Sequence, residues 1–397
     1  MNKNIEFAKL GLGLFVHYGL FSVLGSGEWA KYTNNIPDIE YEKLAYLFNP
    51  KKNFLDEICS FAKENGFNYI VFTARHHDGF SLYDTKDLND YNSYHYIKRD
   101  LAKEFILSCK KYNLLPIIYH TLIDWKEEKN FDSFSDYLSY LRNSIDLLCS
   151  NYGQIGGFWF DGEWKYPNYD WEEEKLYKMI NRKQPNALII NNSGLSKLGE
   201  RNSEYINAIT FEGNKIANYD YHKSINLYAA EACQTLNDHW GYAKNDINYK
   251  SIKEILLNFL NCRRYGGNYL LNIGPKEDGS IREYEKEFVN LLGNWINLNK
   301  EALFNTVPYE MNLPTNFFAL RNDNNIYIII ENIPMIIDNN VGIYNNNPII
   351  INLANLKYKK IYWLDNKSLI TIDFNQYVVE PFNYGNSMIA RILKIEL

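Results

Sequence analysis

Unbroken apolar runs alternate along the chain with segments of helical spacing. Eight runs of strand length stand before residue 280: LGLFVHYG (12–19), YIVFTARHH (69–77), PIIYHT (116–121), GFWFDG (157–162), ALIINN (187–192), INAITFEG (206–213), NLYAAEACQ (226–234) and NYLLNIGP (268–275). Between several of them apolar residues recur every three to four positions. One set is Phe54, Ile58, Phe61 and Ala62; a second is Leu101, Phe105, Ile106 and Cys109; a third is Tyr137, Leu141, Ile145 and Leu148. This spacing predicts amphipathic helices, the third with Asp132 or Ser133 as its N-cap. Strands alternating with helices predict a parallel sheet, and eight of them match a (β/α)8 barrel. A doubly wound sheet is the competitor, but no Gly-x-Gly-x-x-Gly opens a helix and no phosphate loop is present. After Pro308 the rhythm changes. FFALRNDNNIYIIIENI, NPIIINL, KIYWLD and MIARILKIEL are strand-like pieces between Asn, Asp and Gly turns. The expected division is a (β/α)8-like domain over residues 1–304 and an all-β domain over residues 305–397.

Composition narrows the classes. A chain of 397 residues can bury a large core in more than one domain. Its net charge of −6 argues against a nucleic-acid partner. The five cysteines are odd in number and form no C-x-x-C pair, so neither a disulfide framework nor a zinc knuckle is indicated. Buried thiols in a reducing compartment fit better. No apolar stretch is long enough for a membrane span, and the N-terminus lacks a clean signal-peptide pattern. A cytoplasmic location is expected, or a secreted or periplasmic one if a leader has been removed. Aromatic residues reach 16%, which suits sugar binding because pyranose C–H faces pack on rings.

Candidate chemistry gathers where the runs end. In a barrel the C-terminal strand ends form one rim, and active sites sit there. The successive ends here carry His17, then His76 and His77, then Tyr119 and His120, then Asp161 and Glu163; Glu212 and Glu231 follow on the sixth and seventh strands. Burying one such group unpaired is costly, and gathering them at one rim makes a site. Asp78 reads as structural, with the histidines facing ligand. A metal site is disfavoured, because adjacent histidines on a strand point to opposite faces and no H-E-x-x-H occurs. Asp161 is flanked by Trp159 and Trp164, and a carboxylate in an aromatic pocket is a sugar-site signature. A helix cap or an ion-pair partner is the plain alternative for a strand-end Asp. Two carboxyl groups on neighbouring strands would meet the needs of a retaining glycosidase.

Six blocks, standing in order over roughly residues 10–310, resemble the α-L-fucosidases of glycoside hydrolase family 29. They are LGLFVHYGLFSVLGSGEW ending at Trp29, HHDGFSL from His76, Tyr119 followed by Asp124-Trp125, WFDGEW from Trp159, HWGY from His239, and NYLLNIGP continuing to Asp278-Gly279-Ser280-Ile281. The resemblance implies a (β/α)8-like catalytic domain followed by a C-terminal β-sandwich. It implies retaining, exo-acting hydrolysis of terminal α-L-fucose from a fucosylated glycan or glycoconjugate, without metal or other cofactor. It implies Asp161 as nucleophile, and His17, His76, His77 and Tyr119 as ligands of fucose hydroxyls. Glu28 and Trp29 match the block's EW and are expected near the sugar, with Trp240 against the face that carries the methyl group. The acid/base has no fixed motif. After IINNS (189–193), Glu212 is the natural match, although the family's Arg is replaced by Ser193 and no Pro precedes the Glu. Glu231 in AAEACQ is the alternative. Two other readings stay open: a fucose-binding protein that has lost its acid/base, and an exo-glycosidase for a galactose-like sugar. No membrane partner is expected. Barrels of this kind often associate, so a homo-oligomer is an open expectation.

Overall fold

A computed structural model describes residues 2–338, 340, 347–353, 356–373 and 376–397. Each of the eight apolar runs becomes a strand: β1 (Leu12–Val16), β2 (Tyr69–Arg75), β3 (Leu115–Thr121), β4 (Gly157–Asp161), β5 (Leu188–Asn191), β6 (Ala208–Glu212), β7 (Ala229–Thr235) and β8 (Asn268–Ile273). They pair in sequence order, all parallel, and β8 returns to β1 to close a barrel. The strands are buried on both faces, which is why they read as continuous apolar runs rather than alternating ones. Helices Phe54–Glu64, Leu101–Lys111, Phe134–Asn151, Glu173–Lys183 and Ile252–Arg264 cover the outside. Ser133 caps the third of these by accepting from the amide of Asp136 at 3.2 Å. No helix joins β5 to β6; residues 192–207 cross between them as a loop.

Alternation fixes which side chains fill the barrel. Phe15, Trp159 and Tyr119 point inward, Phe15 and Trp159 with ring centroids 5.1 Å apart and Tyr119 stacked on Trp159 at 5.7 Å. Asp161 and Glu212 lie two residues beyond inward positions of β4 and β6, so they too face the axis, at the C-terminal rim.

Helix Glu283–Leu303 lies outside the barrel and is followed by β9 (Val307–Tyr309), β10 (Phe317–Arg321), β11 (Asn325–Glu331), β12 (Ile349–Ile351), β13 (Lys360–Trp363), β14 (Thr371–Asp373), β15 (Gln376–Val379) and β16 (Ala390–Glu396). A five-stranded sheet in the order β13-β16-β11-β10-β9 faces a three-stranded sheet, β12-β15-β14, as a sandwich. Strand alternation divides the five-stranded sheet between two cores. Phe318, Leu320, Tyr327, Ile329 and Ile392 join the barrel's core, while Ala319, Ile328, Ile330 and Leu393 face the second sheet. Among the described residues, no helix is long and apolar enough to cross a membrane.

Candidate active site

A narrow cup opens at the C-terminal rim. It is walled by Phe15, Trp29, Trp159, Trp164 and Trp240, and His17, His76, His77, Tyr119, Asp161, Asn192 and Glu212 project into it.

The two histidines that follow β2 reach the cup together. Strand alternation would have sent one to each face, but β2 ends at Arg75 after a register shift, and His76 and His77 lie beyond it. Gly79, at φ +82°, turns the chain there; a Cβ on it would collide with Oδ1 of Asp124. Asp78 points away from the cup and accepts from the Tyr41 hydroxyl at 2.8 Å and the Phe80 amide at 3.1 Å.

Hydrogen bonds set the tautomers. Asn272 donates its amide to the Trp240 carbonyl, so its Oδ1 accepts from Nδ1 of His17 at 2.6 Å. Nε2 of His17 is thereby left as an acceptor for a ligand hydroxyl. Burial pushes the His17 pKa down to about 3, which keeps the ring neutral. Thr121 donates its hydroxyl proton to the Ile123 carbonyl, so it accepts from Nδ1 of His77 at 2.7 Å. Nε2 of His77 then faces Oδ2 of Asp161 at 3.4 Å. His76 stacks on Tyr119 with 5.5 Å between centroids, and burial lowers its pKa as well.

Four side chains hold the Asp161 carboxylate. Oδ1 accepts from Nε1 of Trp164 at 2.9 Å and from Nδ2 of Asn192 at 3.1 Å; Oδ2 accepts from the Tyr119 hydroxyl at 3.0 Å and faces His77. Burial works against its charge, but His77, Trp164 and Tyr119 outweigh burial and lower its pKa below the usual carboxylate value. Glu212 is the opposite case. Burial, and then the charge of Asp161, raise its pKa to about 7. Asn192 donates to its Oε2 at 2.7 Å through the same nitrogen that serves Asp161. The two N–H bonds of an amide diverge by about 120°, so the bridged oxygens lie about 5 Å apart, within the roughly 5–5.5 Å used by retaining glycosidases.

The arrangement is one carboxyl whose surroundings favour its charge and one whose surroundings favour its proton, both in an aromatic cup. A family profile described as Alpha-L-fucosidase matches residues 2–301. The chain belongs to the α-L-fucosidase family. The tissue alpha-L-fucosidase of Rattus norvegicus is 27% identical over 336 residues, covering 77% of this chain and 70% of that one. The alpha-L-fucosidase of Dictyostelium discoideum is 22% identical over 393 residues, 88% of this chain and 82% of that one. Among solved structures, alpha-L-fucosidase isoenzyme 1 from Paenibacillus thiaminolyticus superposes with a TM-score of 0.84 at 25% identity, covering 100% of both chains. A Bacteroides thetaiotaomicron alpha-L-fucosidase, trapped as a covalent intermediate with 2-fluoro-fucosyl fluoride, gives 0.78 at 21% identity over 99% of this chain and 95% of that one.

Set against the fucosidase expectation, three acidic or basic strand-end residues lie elsewhere. Glu231, the alternative acid/base, is fully buried beneath the cup. It accepts from the Tyr69 hydroxyl at 2.5 Å and Nε1 of Trp159 at 2.9 Å. The register explains this: Cys233 is level with Glu212, while Glu231 is level with Thr210, one inward layer deeper. Glu231 therefore supports the Trp159 floor. His120 points out of the barrel to Tyr83 and Ser144, at 3.2 Å from each. Glu163 faces a neighbouring cavity with Asn191 and Asn202. Glu28 is not among the side chains lining the cup; its Oε2 accepts from the backbone amides of Trp240 at 3.1 Å and Gly241 at 2.7 Å. Trp29 and Trp240 do line it, Trp29 at 5.4 Å from His77 and Trp240 at 5.2 Å from His17. The sequence reading missed Asn192 as a site residue. Its signal was the second Asn of IINNS, two positions on from the inward Ile190.

Proposed function

We propose that this chain is a retaining, exo-acting α-L-fucosidase in which Asp161 is the nucleophile and Glu212 the acid/base. The observation that carries the assignment is the single Asn192 amide spanning two carboxyl groups of opposite ionisation. Asp161 attacks the anomeric carbon as Glu212 protonates the departing oxygen. The C1–O glycosidic bond breaks and a C1–O bond to Asp161 forms. Glu212, now a carboxylate, takes a proton from water, whose oxygen attacks C1 and releases Asp161. His17, His76, His77 and Tyr119 bind the sugar hydroxyls, and Trp29 and Trp240 bound its apolar edge. An analogue without those hydroxyls would leave buried polar groups unpaired, which gives strong discrimination. The substrate is a fucosylated glycan or glycoconjugate. The catalytic barrel spans residues 1–304 and carries an all-β unit over 305–397. A fucose-binding protein without an acid/base is not favoured, because Glu212, its pKa raised to about 7, is bridged to Asp161 through Asn192.

The test is Asp161→Gly on an activated aryl α-L-fucoside. Turnover is expected to fall by at least ~10³-fold with folding intact, and azide to restore it with the β-fucosyl azide as product. A rate close to wild type, or rescue without that product, refutes the assignment.

A further inference from the structure

Asn192 is 2% exposed and locked at its other end, where Oδ1 accepts from the Thr210 hydroxyl at 3.0 Å and the Gly194 amide at 3.3 Å. Its backbone amide donates to the Phe160 carbonyl at 2.8 Å, which ties it to β4 beside Asp161. The side-chain amide therefore cannot flip, and both of its N–H bonds are committed, one to each acid. Beyond burial, Asp161 is acted on most strongly by the hydrogen bond and the charge of His77 and by Trp164 and Tyr119, and Glu212 by Asp161, Asn192 and Glu28, with no lysine or arginine among them. His17, His76 and Cys233 are further titratable neighbours.

We infer that Asn192 is a positioning residue that holds Asp161 and Glu212 at a fixed separation and supports the negative charge on whichever of them carries it. This rests on the retaining-fucosidase reading. In the free enzyme the charge is on Asp161 and the proton on Glu212. In the glycosyl-enzyme Asp161 is an ester and Glu212 is the carboxylate. The pair holds one negative charge in both forms, and the charge has moved about 5 Å. An amide with one N–H on each acid meets the ion in both states without moving, so neither half-reaction must reorganise its surroundings. A lysine in that place would favour ionisation of both acids at once and remove the proton that the first step needs.

Two substitutions test this. Asn192→Ala removes both donors. Asn192→Asp keeps the shape and replaces the donors with a further acid. Turnover of an aryl fucoside should fall on the order of 10- to 100-fold in Asn192→Ala. It should fall further in Asn192→Asp, although that variant is isosteric. Both limbs of the pH–rate profile should move up, on the order of 1 pH unit in Asn192→Ala. A direct titration reads the same shift without activity: the Glu212 carboxyl carbon, followed by NMR in 13C-labelled protein and assigned by its loss in Glu212→Gln, should titrate higher in Asn192→Ala. Should Asn192→Ala fail to fold, the isosteric variant carries the measurement. Unmoved titration of Glu212, or Asn192→Asp within about twofold of wild type, overturns the inference. Azide rescue at position 161 tests the retaining mechanism independently, so the two readings fail separately.

Discussion

Three glutamates, Glu163, Glu212 and Glu231, have pKa values raised to about 7, and burial is the first cause in each. A raised pKa therefore does not single out the acid. What supports the proposed assignment is geometry: of the three, Glu212 alone shares a hydrogen-bond donor with Asp161. The pH dependence follows from the pair. On the acid side kcat/KM should be lost as Asp161 protonates, below the usual carboxylate range. On the basic side it should be lost about tenfold per pH unit above pH ~7, as Glu212 gives up its proton. In Glu212→Gln, an aryl fucoside with a good leaving group should retain its acid limb and lose the basic one. A basic limb that survives in Glu212→Gln would assign it to another residue. The sequence put Glu212 first and Glu231 second on the resemblance of their blocks alone. Their difference in depth was not legible, because it depends on a register that only the folded barrel defines.

At the scale of elements, the eight strands were legible because each is buried on both faces and so forms an unbroken apolar run. The ends of those strands were legible only in part. His120 follows Tyr119 on β3, and alternation sends it outward, where a one-dimensional reading groups the two. His76 and His77 escape alternation because β2 has already ended. The loop role of Glu28 was hidden for a different reason: it joins residues 212 positions apart in the chain. Its carboxylate fixes the backbone beneath Trp240, so the wall of the cup depends on it. Glu28→Ala removes the acceptor from the buried Gly241 amide, worth about 1–3 kcal/mol when left unpaired, and from the part-buried Trp240 amide. The loosened wall should raise KM for a fucoside about tenfold or more with a smaller change in kcat. Steady-state kinetics reads that split directly; an unchanged KM with a collapsed kcat would place Glu28 in the chemistry instead.

At the scale of the molecule, the C-terminal strands were readable as strands, but not as a shared wall. The continuous apolar stretch YIIIENI gives no hint that Tyr327 and Ile329 face the barrel's core while Ile328 and Ile330 face the sandwich. The same fold also buries many acids, and this bears on stability. Burial is the leading cause that raises Asp124 to about 6, Glu163, Glu212 and Glu231 to about 7, and Glu285 to about 8. In the unfolded chain such groups titrate near about 4–4.5. Between about pH 5 and 8 the folded chain therefore holds more protons than the unfolded one, and stability falls as pH rises through that window. The histidines act in the opposite sense lower down. Burial drives His17 to about 3 and lowers His76 and His120, so below about pH 6.5 the unfolded chain takes up protons that these rings refuse. Above about pH 6.5 the histidine contribution fades and the acids dominate, and each retained proton contributes up to about 1.4 kcal/mol per pH unit there. Calorimetry should accordingly give a lower Tm at pH 8 than at pH 6.5. Glu231→Gln should flatten that slope, because the amide still accepts from Tyr69 or Trp159 and has no proton to lose. A Tm that is level or rising over this interval would mean that the buried acids are already ionised at pH 6.5, and with them the proton that Glu212 must deliver to the leaving oxygen.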